Sequence, residues 1–401
     1  MQHHPVFFLT ILFFGINISF LPCVNIKYYK ITKFCLCSCI FPFYYFAGQG
    51  TSDLNTYQSI LDSISNSSIT SVSEDASQSY EILSLISLWL FRIFDRGAYL
   101  WHASIVIFLF ISIIVFIESV VGKKPLIPGI CFTLVLPALL GEFIINQSRQ
   151  LLATTILIIC LTYTIENISN LKHRITKTYF DMKIELVCVV LIICAGLAHY
   201  SSVIISAIIL PLIAFPLFLG TKTLSGKIFR IILATLLLII CLYLSYPLLL
   251  AMALPSLEFS TSKYLYYKEF DSTFTFMVES LNGRLIQCLF LLDFFRLWRA
   301  TINQKHNTKT QSLKVRFYLY ITGFIIYIFC FWAIYTPGIM DVGRRLLYYA
   351  LVAQGMSFSI SLSMVQKITI FLILTLPFTL YSVIMILQEQ NMNSGNPYFV
   401  F

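Results

Sequence analysis

Apolar runs long enough to cross a lipid bilayer recur about twelve times along this chain, and no other feature limits its possible folds so strongly. A transmembrane helix needs roughly 20 apolar residues, with about 17 still workable. On that ruler the candidate spans are 5–25, 34–48, 100–121, 126–145, 150–166, 184–198, 201–219, 229–250, 284–298, 316–335, 346–364 and 368–387. Those at 34–48, 184–198 and 284–298 are short, and 184–219 is broken only by His199, Tyr200 and two serines, so it reads as one tilted span or two. The expected fold is all-α, a polytopic transmembrane helix bundle with about twelve spans and two longer extracytoplasmic loops. The whole of 1–401 reads as one membrane-embedded domain. Composition agrees, because 58% of residues are apolar and only 11% are charged, whereas a soluble domain carries about 25% charged residues.

The first apolar stretch, Pro5 to Val24, has neither the basic flank nor the small-residue cleavage site of a secretory signal, and reads as a retained span. Most of the 11 cysteines, among them Cys160, Cys188, Cys194, Cys241 and Cys330, sit inside apolar runs, where Cys acts as a small hydrophobe. Cys35, Cys37 and Cys39 alternate, so on a helix they diverge, and no histidine accompanies them; no metal site is expected.

Orientation follows from the basic loops. Lys27, Lys30 and Lys33; Lys123 and Lys124; Lys172, His173, Arg174, Lys177 and Lys183; Lys222, Lys227 and Arg230; Arg299, Lys305, Lys309, Lys314 and Arg316; and Lys367 all fall on one side if the spans alternate. That side is cytoplasmic by the positive-inside rule, which puts the N-terminus outside and explains the net charge of +9 without nucleic acid. The outer loops 49–99 and 251–283 carry acids instead, including Asp53, Asp62, Glu81, Glu258 and Asp271. Within the first, Tyr80 to Phe94 is apolar but too short to span and predicts an interfacial or re-entrant helix, whereas 62–79, rich in Ser, Asn and Asp, predicts an exposed loop.

No P-loop, G-x-G-x-x-G or H-E-x-x-H occurs, so neither nucleotide-driven transport nor zinc hydrolysis has support, and no cofactor is expected. Ionisable residues near the membrane are functional candidates by default. Glu142 and Arg149 bracket the outer ends of two spans, His199 ends another, and Asp341, Arg344 and Arg345 lead into 346–364. Arg149 opens a helix in Asn146-Gln147-Ser148-Arg149-Gln150, where free backbone N–H groups and the helix dipole favour an anion such as phosphate. Arg344 with Tyr348, and Arg345 with Tyr349, share helical faces at i, i+4. Plainer readings stand beside these: Arg149 paired to Glu142, Arg344 or Arg345 paired to Asp341, His199 a hydrogen-bonded bundle histidine, Tyr57 a membrane-belt anchor with Asp53 interfacial, and Glu81 an exposed acid.

The set and its order carry a resemblance. Phe46-Ala47-Gly48-Gln49-Gly50-Thr51-Ser52-Asp53-Leu54-Asn55-Thr56-Tyr57 resembles the A-G-x-R-x-G-x-D-x-x-x-Y of EpsG/Wzy-type polysaccharide polymerases, with Gln49 where the family usually has arginine. Asn146 to Ala153 is similar to that family's N-x-x-R-Q-x-L-A, Ala198-His199-Tyr200-Ser201-Ser202 to its F-H-x-S, Gly343-Arg344-Arg345-Leu346 through Tyr349 to its R-L-x-x-Y-F, and Asn396-Pro397-Tyr398 to its closing P-Y. The matches run from about residue 34 to the end of the chain.

The resemblance implies polymerisation of undecaprenyl-pyrophosphate-linked oligosaccharide repeat units into O-antigen, capsule or exopolysaccharide. The setting would be the outer face of a bacterial cytoplasmic membrane, with a flippase and a chain-length regulator as companions. Arg149 with Arg344 or Arg345 would clamp the departing pyrophosphate, because guanidinium forks match phosphate oxygens and stay charged. Gln49, Tyr57 and Tyr348 would contact substrate, and the base would be His199, Asp53 or Glu81. A lipid-linked oligosaccharide transporter, or another lipid-linked glycosyltransferase or ligase, remains the alternative. A transporter predicts ionisable residues near the midplane, where the sequence reading finds none.

Overall fold

A computed structural model describes residues 52–64, 82–121, 147–171, 178–199, 201–202, 205, 281–303, 310–334 and 340–363. Among them are eight helices: α1 Ser52–Ile64, α2 Ile82–Trp89, α3 Gly97–Val121, α4 Ser148–Leu171, α5 Thr178–Ala198, α6 Leu281–Asn303, α7 Thr310–Ile334 and α8 Met340–Ser363. The described residues contain no strand. Two helices, over Gly97–Val120 and Ser148–Glu166, are long and apolar enough to cross a membrane. Shorter apolar stretches, Leu186–Ala198, Val315–Cys330 and Leu346–Ser361, lie in α5, α7 and α8. Helices α3–α8 overlap six of the twelve stretches marked as spans; of the other six, 201–219 has only residues 201–202 and 205 described, and the remaining five, including 5–25 and 368–387, lie outside the described residues, as does nearly all of the 251–283 loop.

The helices begin earlier than the hydropathy pattern marks. The stretch 184–198 is the end of a 21-residue helix and 284–298 the middle of a 23-residue one. Apolar periodicity marks only the lipid-embedded part, while polar end turns continue the same hydrogen-bond ladder. The interruption at His199 is a true break: α5 ends at Ala198, His199 is not helical, and a new turn begins with Ser202 N–H donating to His199 O at 3.0 Å.

Contacts divide the chain into two compact units, one holding α1–α5 except the last two residues of α3, the other holding α6–α8. In the first, α4 packs on α5, and α2 packs on both α5 and α1. The apolar stretch after Tyr80 forms α2 over eight residues, too short to span, with Ser84, Leu85 and Leu88 buried and Ile82, Ile86 and Leu90 exposed. A turn then leads into α3. Gly97 is required there, because a Cβ would strike the Phe91 carbonyl oxygen and lie 2.5 Å from Leu61 Cδ2. Gln58 of α1 caps the same turn, accepting from Ala98 N–H at 3.2 Å and donating to Asp95 O at 3.3 Å. The 49–99 loop thus contains two helices fastened to the start of α3. The described cysteines are free thiols.

In the second unit, α6, α7 and α8 pack on one another. Phe294 stacks on Phe317 with ring centres 5.3 Å apart, and Phe290 meets Phe358 edge-on at 5.7 Å. Gly323 lets α7 approach α8 so closely that an added Cβ would lie 2.5 Å from Gln354 Cγ. Gln354 in turn forms a reciprocal amide pair with Gln287 of α6, at 2.9 and 3.0 Å.

Candidate functional site

The first unit gathers polar side chains where α3 and α4 start and α5 ends. Gln147 is the N-cap of α4, its carbonyl accepting the first helical bond from Leu151 N–H at 2.9 Å, so Ser148, Arg149 and Gln150 occupy the first turn. Arg149 is half-buried and donates from Nε to the Tyr57 hydroxyl at 2.8 Å, with its guanidinium carbon 5.8 Å from the centre of that ring. Tyr57 is buried and meets Trp101 edge-on at 5.4 Å. Its phenol therefore holds the arginine in place, and its ring is part of the core of the unit.

From Trp101 a hydrogen-bonded chain runs to the carbonyl of Ala198, the residue before His199. Trp101 Nε1–H donates to Ser87 Oγ at 2.9 Å, Ser87 donates to Ser84 O at 2.8 Å, and Ser84 donates to Ala198 O at 2.8 Å. Ala198 immediately precedes His199, which is buried and whose Nδ1 accepts from Ser201 N–H at 3.2 Å and lies 2.7 Å from Ser201 Oγ. Arg149, Tyr57 and His199, drawn from three sequence motifs separated by long stretches, are thus parts of one network that also includes α2.

His102 belongs to the same place and is missed by sequence reasoning. It is fully buried beside Trp101, its Nδ1 lies 2.8 Å from the hydroxyl of Ser148, and its Nε2 has no hydrogen-bond partner among the described residues. Gln147 Oε1 at the same helix start is likewise buried without a partner among the described residues. The signal was available, since His102 interrupts an apolar run near its beginning, but one polar residue in 25 barely moves a hydropathy average.

The other expected site residues are placed less fully. Asp53 lies in the first turn of α1, and Arg344 and Arg345 in the early part of α8, but their side chains are outside the described residues. Gln49, Glu81 and Glu142 lie outside them altogether. Tyr348 is in α8 of the second unit and is buried.

That second unit holds a polar cluster of its own, and it corrects two sequence readings. Arg316, counted among the orienting loop cations, is buried within α7 and pairs with Asp293 of α6 at 2.8 Å. Asp293, halfway along α6, is the mid-span ionisable residue that the sequence reading did not find. Its carboxylate also accepts from Tyr320 at 2.7 Å and from Ser361 at 2.7 Å, and Arg316 donates to Ser361 at 2.8 Å. Arg316 was misassigned because α7 starts six residues before the apolar run does, which draws a nominal loop residue inside.

Comparison with curated proteins and with solved structures finds no match. A family model does match, over residues 32–400, nearly the whole chain. That coverage, together with the apolar helices, makes this a membrane protein with a polysaccharide polymerase-type role. The chain belongs to the EpsG family, the family of Wzy-type polysaccharide polymerases.

Proposed function

We propose that this chain polymerises oligosaccharide repeat units carried on undecaprenyl pyrophosphate, at the extracytoplasmic ends of α3, α4 and α5, in a bacterial cytoplasmic membrane. The observation that carries the reading is the Arg149–Tyr57 pair at the first turn of α4. A guanidinium fixed at the positive end of a helix dipole suits a pyrophosphate leaving group, and a site that excludes water strengthens that attraction.

In the reaction, the anomeric C–O bond to the lipid pyrophosphate breaks and its electron pair stays with the pyrophosphate oxygen. A hydroxyl of the next repeat unit forms the new glycosidic bond and gives up its proton to a base. Arg149 would oppose the charge developing on the pyrophosphate, assisted by Arg344 or Arg345, while Gln49 and Tyr348 would contact substrate. Candidates for the base are His199, Asp53 and Glu81. The polymer formed would be O-antigen, capsule or exopolysaccharide.

The buried Asp293–Arg316 pair is the observation that favours a lipid-linked oligosaccharide transporter instead, since transporters place ionisable residues inside spans. Its carboxylate, however, already accepts three donors, an arrangement that suits a fixed helix contact better than a carrier of protons or substrate. Deleting the gene in its host and examining surface polysaccharide on a gel tests both readings. The polymerase reading expects loss of polymer with single repeat units persisting, restored by wild type and not by Arg149→Ala at equal membrane level. Unchanged polymer removes it, and repeat units held inside the cell point to the transporter.

A further inference from the structure

We propose that His102 is a positioning residue for Arg149, acting through Ser148, so that the start of α3 fixes the arginine by two routes. The proposal rests on the polymerase reading above and adds a residue to it. Neighbouring residues of α3 reach different helices: the Trp101 ring meets the Tyr57 ring of α1 edge-on at 5.4 Å, and His102 Nδ1 lies 2.8 Å from Ser148 Oγ of α4. The Tyr57 hydroxyl accepts from Arg149 Nε at 2.8 Å, and Ser148 directly precedes Arg149 in the chain. One route therefore runs from Trp101 through Tyr57 to the guanidinium. The other runs from His102 through Ser148 to the backbone that carries it.

The second route matters because of where Arg149 stands. The first N–H groups of a helix have no intrahelical partner, so a first turn frays unless something else ties it down. In α4 the ladder begins with Leu151 N–H on Gln147 O at 2.9 Å, which leaves Ser148, Arg149 and Gln150 ahead of it. Ser148 and His102 are both fully buried, and a hydrogen bond away from water is strong enough to hold such a turn. Either tautomer of His102 makes this bond, because Nδ1 accepts from the Ser148 hydroxyl or donates to it.

An arginine side chain is long and rich in rotamers. Tyr57 alone would hold the guanidinium while the turn beneath it shifted, whereas anchors at both ends leave one position. A guanidinium fork matches phosphate oxygens only in register, and misplacing a catalytic group by about 1 Å costs up to roughly 10²-fold in rate. His102 and Ser148 take no part in breaking or making the glycosidic bond. They keep the arginine where that bond breaks.

Ser148→Ala removes the bond from the α4 side by deleting one oxygen, and His102→Leu removes it from the α3 side. Each is placed in lipid vesicles at equal folded amount with lipid-linked repeat units extracted from the deletion strain. The rate of the first new glycosidic bond is followed, with and without Arg149→Ala, whose slow residual transfer is read over a long incubation. Ser148→Ala is expected to slow wild type by roughly 10–100-fold, and the double variant with His102→Leu to be no slower than the worse single one. In Arg149→Ala, the added Ser148→Ala should change the rate by less than about twofold. A bond that merely stabilises the fold would lower the rate by the same factor in both backgrounds, and that result overturns the proposal. So does a Ser148→Ala rate equal to wild type, or a double variant slowed by the product of the two single effects. Amide hydrogen exchange in the same lipid reads the clamp without any catalysis. The start of α4 should exchange about five- to tenfold faster in both variants, the weight of one hydrogen bond, while α6–α8 exchange as in wild type. Unchanged exchange there overturns the proposal. If wild type makes no polymer, the polymerase reading fails and exchange still decides whether His102 holds that turn.

Discussion

Each of the two units of this protein holds an arginine among polar partners, buried in the second and half-buried in the first, and the partners differ in charge. In the second unit, Arg316 meets the carboxylate of Asp293, which also takes the hydroxyls of Tyr320 and Ser361, so the charges cancel inside α6, α7 and α8. In the first, Arg149 meets the neutral phenol of Tyr57 at a helix start, next to two buried polar atoms, His102 Nε2 and Gln147 Oε1, without a partner among the described residues; in the second, Arg316 Nε is likewise buried without one. The carboxylate-centred cluster ties three helices together, whereas the polar atoms around Arg149 lie at a helix start, where the proposed pyrophosphate would give them a partner.

If this contrast is right, substitutions in the two clusters fail differently. Asp293→Ala should cost about 3–5 kcal/mol of stability, because it strands a buried guanidinium, and it should be read in thermal unfolding of the detergent-purified protein. Replacing both partners, Asp293→Leu with Arg316→Met, should recover much of that loss; a double variant no better than the single one would mean the cluster does more than hold helices. Arg149→Ala should lower polymer formation by roughly 10²–10³-fold while leaving the unfolding temperature near wild type. Equal thermal damage from Arg149→Ala and Asp293→Ala would erase the distinction between the clusters.

Smaller effects sharpen the same comparison. Tyr57→Phe keeps the edge contact with Trp101 but removes the acceptor for Arg149, a hydrogen bond to a charged group worth about 1.5–3 kcal/mol. It should slow polymerisation about tenfold or more, with protein level unchanged. Gly323→Ala should cost about 1–3 kcal/mol of stability through overpacking against Gln354 and the Ala350 carbonyl, and should leave the rate per folded molecule as it was.

How far the sequence could be read follows from what kind of signal each feature leaves. Helical class and the apolar stretches in α3–α8 were legible, because the lipid core imposes a length on apolar runs that needs no tertiary context. Arg149 and His199 stood out as polar residues inside recognisable motifs at helix ends. Their pairings did not. Tyr57 stood out as a motif residue, but it lies 92 residues from Arg149, and Ser84 lies 114 from Ala198, distances at which periodicity carries no information. His102 and Asp293 were hidden for the opposite reason, each a polar residue in a run whose average stays apolar. Arg316 was misjudged because charge sign orients loops but says nothing about whether a helix extends to enclose the residue.

The central claim is that the network around Arg149 catalyses transfer between lipid-linked sugars. The most direct measurement is polymer formation by the purified chain in lipid vesicles, given lipid-linked repeat units extracted from the deletion strain, for wild type, Arg149→Ala and the Asp293→Leu, Arg316→Met pair. An evenly spaced ladder from wild type and the paired variant, and none from Arg149→Ala, is the predicted result. A ladder from Arg149→Ala equal to wild type, or no ladder from folded wild-type protein, would contradict it.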